Sequence, residues 1–200
     1  KTLYRQAAET MKRISLELGG HAPLSVFEDA DLDVAVREAI ACKFRNAGQT
    51  CVCTNRLLVQ RSILPEFTRR FTEATRALQV GDPLYQATGI GPLVNQAAID
   101  KVQEHIDDAV SRGAEVASGG YEPTVLTGVT GDMLIMSEET FGPVAPVTVF
   151  DTEDEAIRIS NDTQYGLASY IFTQNLGQAF RVSEALEYGI VGVNDGVTSA

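Results

Sequence analysis

The chain has 200 residues, 44% of them hydrophobic and 22% charged, with a formal net charge of −11. This is an ordinary globular composition, long enough to bury a core without disulfide staples. The negative balance argues against non-specific nucleic-acid binding and against an anionic membrane surface, both of which need clustered Lys and Arg.

No apolar run approaches the ~20 residues that a membrane helix needs. The opening stretch KTLYRQAAETMKR carries no apolar core of the kind a secretory signal has. Three cysteines, odd and few, do not make a disulfide framework and fit a reducing compartment. A cytoplasmic location is expected, with the mitochondrial matrix as the alternative.

In chain order, Leu3, Tyr4, Ala7, Ala8 and Met11 stand at helical spacing. The chain therefore opens inside a helix, and it ends without a terminating signal, so it reads as a piece of a longer protein. ISLEL (14–18) alternates like a half-buried strand, and Gly19-Gly20 breaks it. PLSVF (23–27) is a second strand. Asp29 or Asp31 can cap a helix over 32–44, whose apolar face carries Val34, Ala35, Ala39 and Cys42. RLLVQ (56–60) is a strand, and an amphipathic helix covers 64–78.

VGDPL is a turn. A helix over 96–112 places Ile99, Val102, Ile106 and Ala109 on one face, with His105 on the solvated side and Gly113 as the stop. AEVAS, TVLTGV and MLIM read as short strands. VAPVTVF (144–150) has the continuous apolar character of a strand covered on both faces. A helix over 154–161, a strand ASYIFT, a helix over 176–187 and a strand GIVGVN close the chain. Alternating strands and helices predict an α/β domain with a mainly parallel sheet.

The stretch FRNAGQTCVCTNR (44–56) holds two of the cysteines, one residue apart. Zinc usually wants four Cys/His ligands, and the only histidines are His21 and His105, so no metal is expected. A Cys51–Cys53 disulfide needs Cα atoms within about 7 Å, which an extended i, i+2 pair barely reaches. A local turn could close it as a reversible switch. Cys42 suits core packing. Cys51 lies in a loop of Asn, Gly, Gln and Thr, where a reactive thiolate is as reasonable as a packing residue.

Several stretches read together resemble the aldehyde dehydrogenase superfamily. SLELGGHAP (15–23) resembles its glutamate motif, FRNAGQTC (44–51) its cysteine motif, and EETFGPV (138–144) its cofactor-contacting motif. They occur in the family order. GPLVNQ and NDTQYGLASYIFT also look like family segments, so the resemblance covers essentially the whole chain.

The resemblance implies a three-layer αβα catalytic domain with a mainly parallel sheet. Residues 1–18 would be the tail of a dinucleotide-binding domain and residues 19–200 the nucleophile-bearing domain. It implies Cys51 as the nucleophile that makes an aldehyde carbonyl tetrahedral. It implies Glu17 as the base that activates water against the thioester, although an isolated Glu17 would read as a solvated carboxylate. The Cys51 backbone N–H would donate to the oxyanion; the family's second donor, an asparagine, would lie before Lys1. Glu139 matches the residue that hydrogen-bonds the nicotinamide ribose. Phe141 matches the residue packing beside the nicotinamide, where plain core is the alternative. Leu18 and Gly19 would line the nicotinamide pocket. The implied cofactor is NAD or NADP, and the implied assembly a homodimer or homotetramer. Cys53 is a bystander or a redox partner of Cys51.

FRNAGQTCVC and EALEYGIVGVN (184–194) most resemble the succinate-semialdehyde dehydrogenases. Arg45 would then bind the far carboxylate of the substrate, bidentately. Ser199 would assist it, although a loop serine without a role reads nearly as well. A second family arginine would lie before Lys1. Glutarate semialdehyde, another carboxylated aldehyde, fits the same arginine, and a non-catalytic member of the fold is the remaining alternative. One departure stands between Gly120 and Tyr121, where the family carries several more residues. This chain alone is expected to be inactive and to bind NAD(P) weakly or not at all. Tight dinucleotide binding to the isolated chain in a calorimetric titration contradicts that expectation.

Overall fold

The structure is a computed structural model that describes residues 1–119 and 123–197. Ser199 and the short Gly120–Tyr121 connection lie outside the described residues.

A seven-stranded sheet organises the chain. Its strands are β1 (Ala22–Val26), β2 (Thr54–Gln60), β3 (Glu115–Ser118), β4 (Thr124–Thr127), β5 (Val144–Phe150), β6 (Ala168–Phe172) and β7 (Ile190–Val193). The order across the sheet is β3-β4-β5-β2-β1-β6-β7. Every pairing is parallel except β3 with β4. The helices are α1 (Thr2–Ala8), α2 (Leu32–Phe44), α3 (Leu64–Arg76), α4 (Gln96–Ser111), α5 (Glu153–Asn161) and α6 (Leu176–Ala185).

The two-residue period of the strands sorts the core into layers. Leu57, Val59, Leu24 and Val26 pack with Ala35, Ala39, Phe67 and Phe71 of α2 and α3. Leu58, Ile171 and Phe150 pack with Ala156, Ala179 and Val182 of α5 and α6. Both faces of the sheet are therefore covered, as the three-layer expectation required. A further cluster joins Val102, Ile106 and Ala109 of α4 to Leu126 and Val144.

Helix starts follow their caps. Asp31 caps α2, its Oδ1 accepting from Asp33 N at 3.0 Å and Val34 N at 3.2 Å. Asn95 caps α4 by accepting from Ala98 N at 3.0 Å. Gly113, at φ 102°, ends α4 in the left-handed conformation glycine permits.

Three readings are corrected. Residues 14–18 form no strand, because the alternating segment has no ladder partner among the described residues. MLIM folds as a 3-10 turn over Leu134–Met136. His105 is not solvated but 1% exposed, because it faces the 138–140 segment, where its Nδ1 and the Thr140 hydroxyl share a hydrogen bond of 3.0 Å.

Arg56 ties the layers together. It is 1% exposed, and its guanidinium donates to the carbonyls of His21, Ile159 and Ser160 and to the Tyr188 hydroxyl. His21 beside it is equally buried. Its Nε2–H donates to the Ile135 carbonyl at 3.1 Å, which leaves Nδ1 unprotonated and without a hydrogen-bond partner among the described residues. Burial, and then the Arg56 charge, hold its pKa down from 6.5 to about 3. The unfolded chain takes up this proton near 6.5 and the folded protein only near 3. Stability therefore falls as pH drops through that window, by at most ~1.4 kcal/mol per pH unit from this group. Urea unfolding at stepped pH should show a His21→Gln variant with a flatter slope than the parent below pH ~6.5. Identical slopes contradict the assignment.

Candidate active site

The adjacent strands β5, β2 and β1 are mutually parallel, so their N-terminal ends lie along one edge of the sheet. The three motifs singled out in the sequence are the segments that enter these strands. Residues 17–20 precede β1, Cys51 precedes β2, and residues 139–142 precede β5. Topology alone thus gathers segments more than a hundred residues apart. This edge is the reverse of the usual one, since open parallel sheets commonly bind ligands at strand carboxyl ends.

The cysteine segment needs an unusual backbone. After α2 the chain turns with Asn46 at φ 51°, Ala47 at φ 56° and Gly48 at φ 74°. Left-handed non-glycine residues cost ~1–2 kcal/mol each. Local hydrogen bonds hold the turn: Asn46 Nδ2 donates to the Gln49 carbonyl and Gln49 Nε2 to the Asn46 carbonyl, both at 3.0 Å. Cys53 N donates to the Thr50 carbonyl at 3.2 Å, which closes the turn containing Cys51. Cys51 is partly exposed, and its N–H has no hydrogen-bond partner among the described residues.

The segments meet backbone to backbone. A Cβ on Gly20 would overlap the Cys51 carbonyl oxygen, and one on Gly48 would overlap the Gly142 carbonyl. Gly20 N donates to Glu139 Oε1 at 2.8 Å, and a Cβ on Gly19 would lie 2.6 Å from Glu139 Oε2. Glycine is the residue that admits these approaches.

A cleft of about 540 Å³ opens where the segments converge, lined by Glu17, Leu18, Gly19, Gln49, Thr50, Cys51, Glu139 and Phe141. Phe141 sits at φ 52° and is 39% exposed. It is therefore an aromatic presented to the cleft, not the core residue that was its alternative. Glu17 is exposed at the mouth. Arg45 is also exposed and borders a water-sized gap behind the cysteine segment with Thr50 and Cys53. The structure thus brings Cys51, Glu17, Leu18, Gly19, Glu139 and Phe141 together, with Arg45 on the flank.

All three cysteines are free thiols. Cys53 is 1% exposed, and its thiol donates to the Gly48 carbonyl at 3.1 Å. Cys42 is buried, and desolvation raises its pKa. No group of His, Cys, Asp or Glu able to hold a metal ion occurs among the described residues.

Sequence reasoning missed the buried polar groups behind the cleft. Lys43 is fully buried, and its Nζ has no hydrogen-bond partner among the described residues. Desolvation pulls its pKa down, while Cys53, Cys42 and Glu139 oppose that shift. Thr54, Asn55 and Arg56 open β2 with side chains at 0–1% exposure. Three successive polar residues at the start of a buried strand were the available signal.

The chain as a whole is similar to known proteins. The profile of the aldehyde dehydrogenase family matches residues 1–200, and the chain belongs to that family. It is 53% identical over 208 residues to the mitochondrial succinate-semialdehyde dehydrogenase of Oryza sativa subsp. japonica, covering 100% of this chain and 40% of that protein. It is 49% identical to the glutarate-semialdehyde dehydrogenase of Pseudomonas putida, covering 100% of this chain and 43% of that protein. The crystal structure of succinate-semialdehyde dehydrogenase from Burkholderia pseudomallei superposes with a TM-score of 0.95 at 49% identity, over 99% of this chain and 43% of that one. The chain thus spans about two-fifths of the relatives it matches.

The glycine contacts carry a prediction. In a protein that carries this chain at the length of its relatives, Gly20→Ala should displace the Cys51 carbonyl and lower any turnover that uses Cys51 by ~100-fold or more, the usual scale for a 1 Å misplacement. Circular dichroism should stay native. Parent-like activity contradicts the close approach.

Proposed function

We propose that this chain is the nucleophile-bearing part of an NAD(P)-dependent aldehyde dehydrogenase acting on a carboxylated aldehyde, with succinate semialdehyde as the substrate. Residues 1–18 close its dinucleotide-binding domain, and residues 19–200 form the catalytic domain. The observation that carries this reading is the convergence of Cys51, Glu17, Glu139 and Phe141 on one cleft.

The chemistry follows from the residues. A carbonyl releases hydride readily only after a nucleophile makes its carbon tetrahedral. The Cys51 thiolate supplies that attack and forms a thiohemiacetal. The Cys51 N–H, without a hydrogen-bond partner among the described residues, donates to the resulting oxyanion. A nicotinamide held by Leu18, Gly19, Glu139 and Phe141 would supply the hydride acceptor. The cleft fits such a group, because glycine backbone, a carboxylate that can accept from a ribose hydroxyl, and an exposed aromatic face it together. A thioester then remains on Cys51. Glu17, exposed at the mouth where water has access, takes a proton from the attacking water. The carboxylic acid leaves and the thiol is restored.

Arg45 selects the substrate. It is exposed beside the cysteine turn, and its guanidinium has no carboxylate partner among the described residues. A carboxylate at the far end of the aldehyde supplies one. Ser199 is the second proposed contact to that carboxylate. The glutarate-semialdehyde relative makes the one-carbon-longer substrate the second reading. The family resemblance also supports a homodimer or homotetramer. It gives a bacterial cytoplasm or a mitochondrial matrix as the location, and no described helix is long and apolar enough to cross a membrane.

The test compares succinate semialdehyde with propanal in the longer protein and its Arg45→Ala variant. Loss of a charge-assisted contact worth ~1.5–3 kcal/mol should lower kcat/KM for the semialdehyde at least ~10-fold and spare propanal. Equal loss on both substrates reassigns Arg45 to support of the cysteine turn.

A further inference from the structure

Asn55 is 1% exposed, and its amide is committed at both ends. Its Oδ1 accepts from Thr140 N at 3.3 Å, and its Nδ2 donates to the Cys53 carbonyl at 3.2 Å. A backbone N–H can only donate and a backbone carbonyl can only accept, so the amide has one orientation. One end holds the turn that contains Cys51. The other holds the residue between Glu139 and Phe141. Thr140 is itself 2% exposed and is anchored through its hydroxyl to His105.

We propose that Asn55 is a positioning residue that couples occupancy of the dinucleotide cleft to the set of the Cys51 turn. The inference rests on the assignment of Cys51 as nucleophile and of Glu139 and Phe141 as cofactor-facing residues. The route is short and made of backbone groups. A ligand drawn against Glu139 and Phe141 bears on Thr140, whose N–H bears on Asn55. Asn55 bears on the Cys53 carbonyl, and Cys53 N closes the turn through the Thr50 carbonyl. Glu139 also reaches Gly20 directly, so the contact with the segment behind Glu17 survives loss of Asn55.

Packing alone is the competing role for a buried asparagine, and the experiment separates the two. In the longer protein, the rate of Cys51 alkylation by iodoacetamide is followed by peptide mass spectrometry, with and without saturating NAD(P). The parent should show a ratio of rates differing from one by about fivefold or more, within the usual range of coupling between sites. Asn55→Ser should still bind the dinucleotide by calorimetry, with the ratio collapsed to within about twofold of one. A variant that binds and keeps the parent ratio overturns the proposal, as does a parent ratio of one.

Should the variant fail to fold, hydrogen exchange on the parent decides. NAD(P) should slow exchange in the peptides covering residues 52–55 and 138–142 together. Slowing confined to 138–142 overturns the coupling. A parent that binds no dinucleotide, or whose Cys51 reacts no faster than Cys42 and Cys53, removes the functional assignment itself and this inference with it.

Discussion

The site depends on backbone contact between the segments that enter three neighbouring strands. Parallel strands lie about 4.8 Å apart, so the segments feeding β1, β2 and β5 must stack side by side. Gly20 against the Cys51 carbonyl and Gly48 against the Gly142 carbonyl leave no room for side chains. The positions of Cys51, Glu139 and Phe141 are thereby set by main chain rather than by flexible side-chain contacts. Preorganisation of this kind suits a reaction whose charge develops on an oxygen that must find a waiting N–H.

The arrangement has costs that appear nearby. Ala47 and Phe141 sit in the left-handed region without being glycine. Lys43 is fully buried, with no hydrogen-bond partner for its Nζ among the described residues. Arg56 loses its hydration and instead donates hydrogen bonds to the carbonyls of His21, Ile159 and Ser160. Such strained and desolvated groups cluster at functional sites when the surrounding structure over-determines them. Here two covered sheet faces supply that support.

Most of the fold was legible because periodicity and punctuation agree along the chain. The Asp31 cap, the Gly113 stop and the apolar run of β5 each appear where local chemistry places them. Residues 14–18 show the limit: alternation marks a strand only when a ladder partner exists. His105 shows another, because a polar residue read onto the solvated side of its helix gives no sign of the threonine that will meet it. Of the candidate site, the convergence of Cys51, Glu17, Glu139 and Phe141 on one cleft was legible through motif order. Asn55 was not, because Thr140 lies 85 residues further along and the two meet only through strand order. The expected role of Ser199 falls outside the described residues.

The central claim is that Cys51 carries the acyl group and Glu17 releases it. The most direct test mixes the Glu17→Gln form of the longer protein with succinate semialdehyde and NAD(P), quenches in acid and maps adducts by peptide mass spectrometry. The account predicts a burst of reduced dinucleotide with slow turnover, and a succinyl group on the peptide at Cys51. Turnover equal to the parent would contradict the role of Glu17, and an acyl group on another residue, or none during a burst, would contradict the role of Cys51.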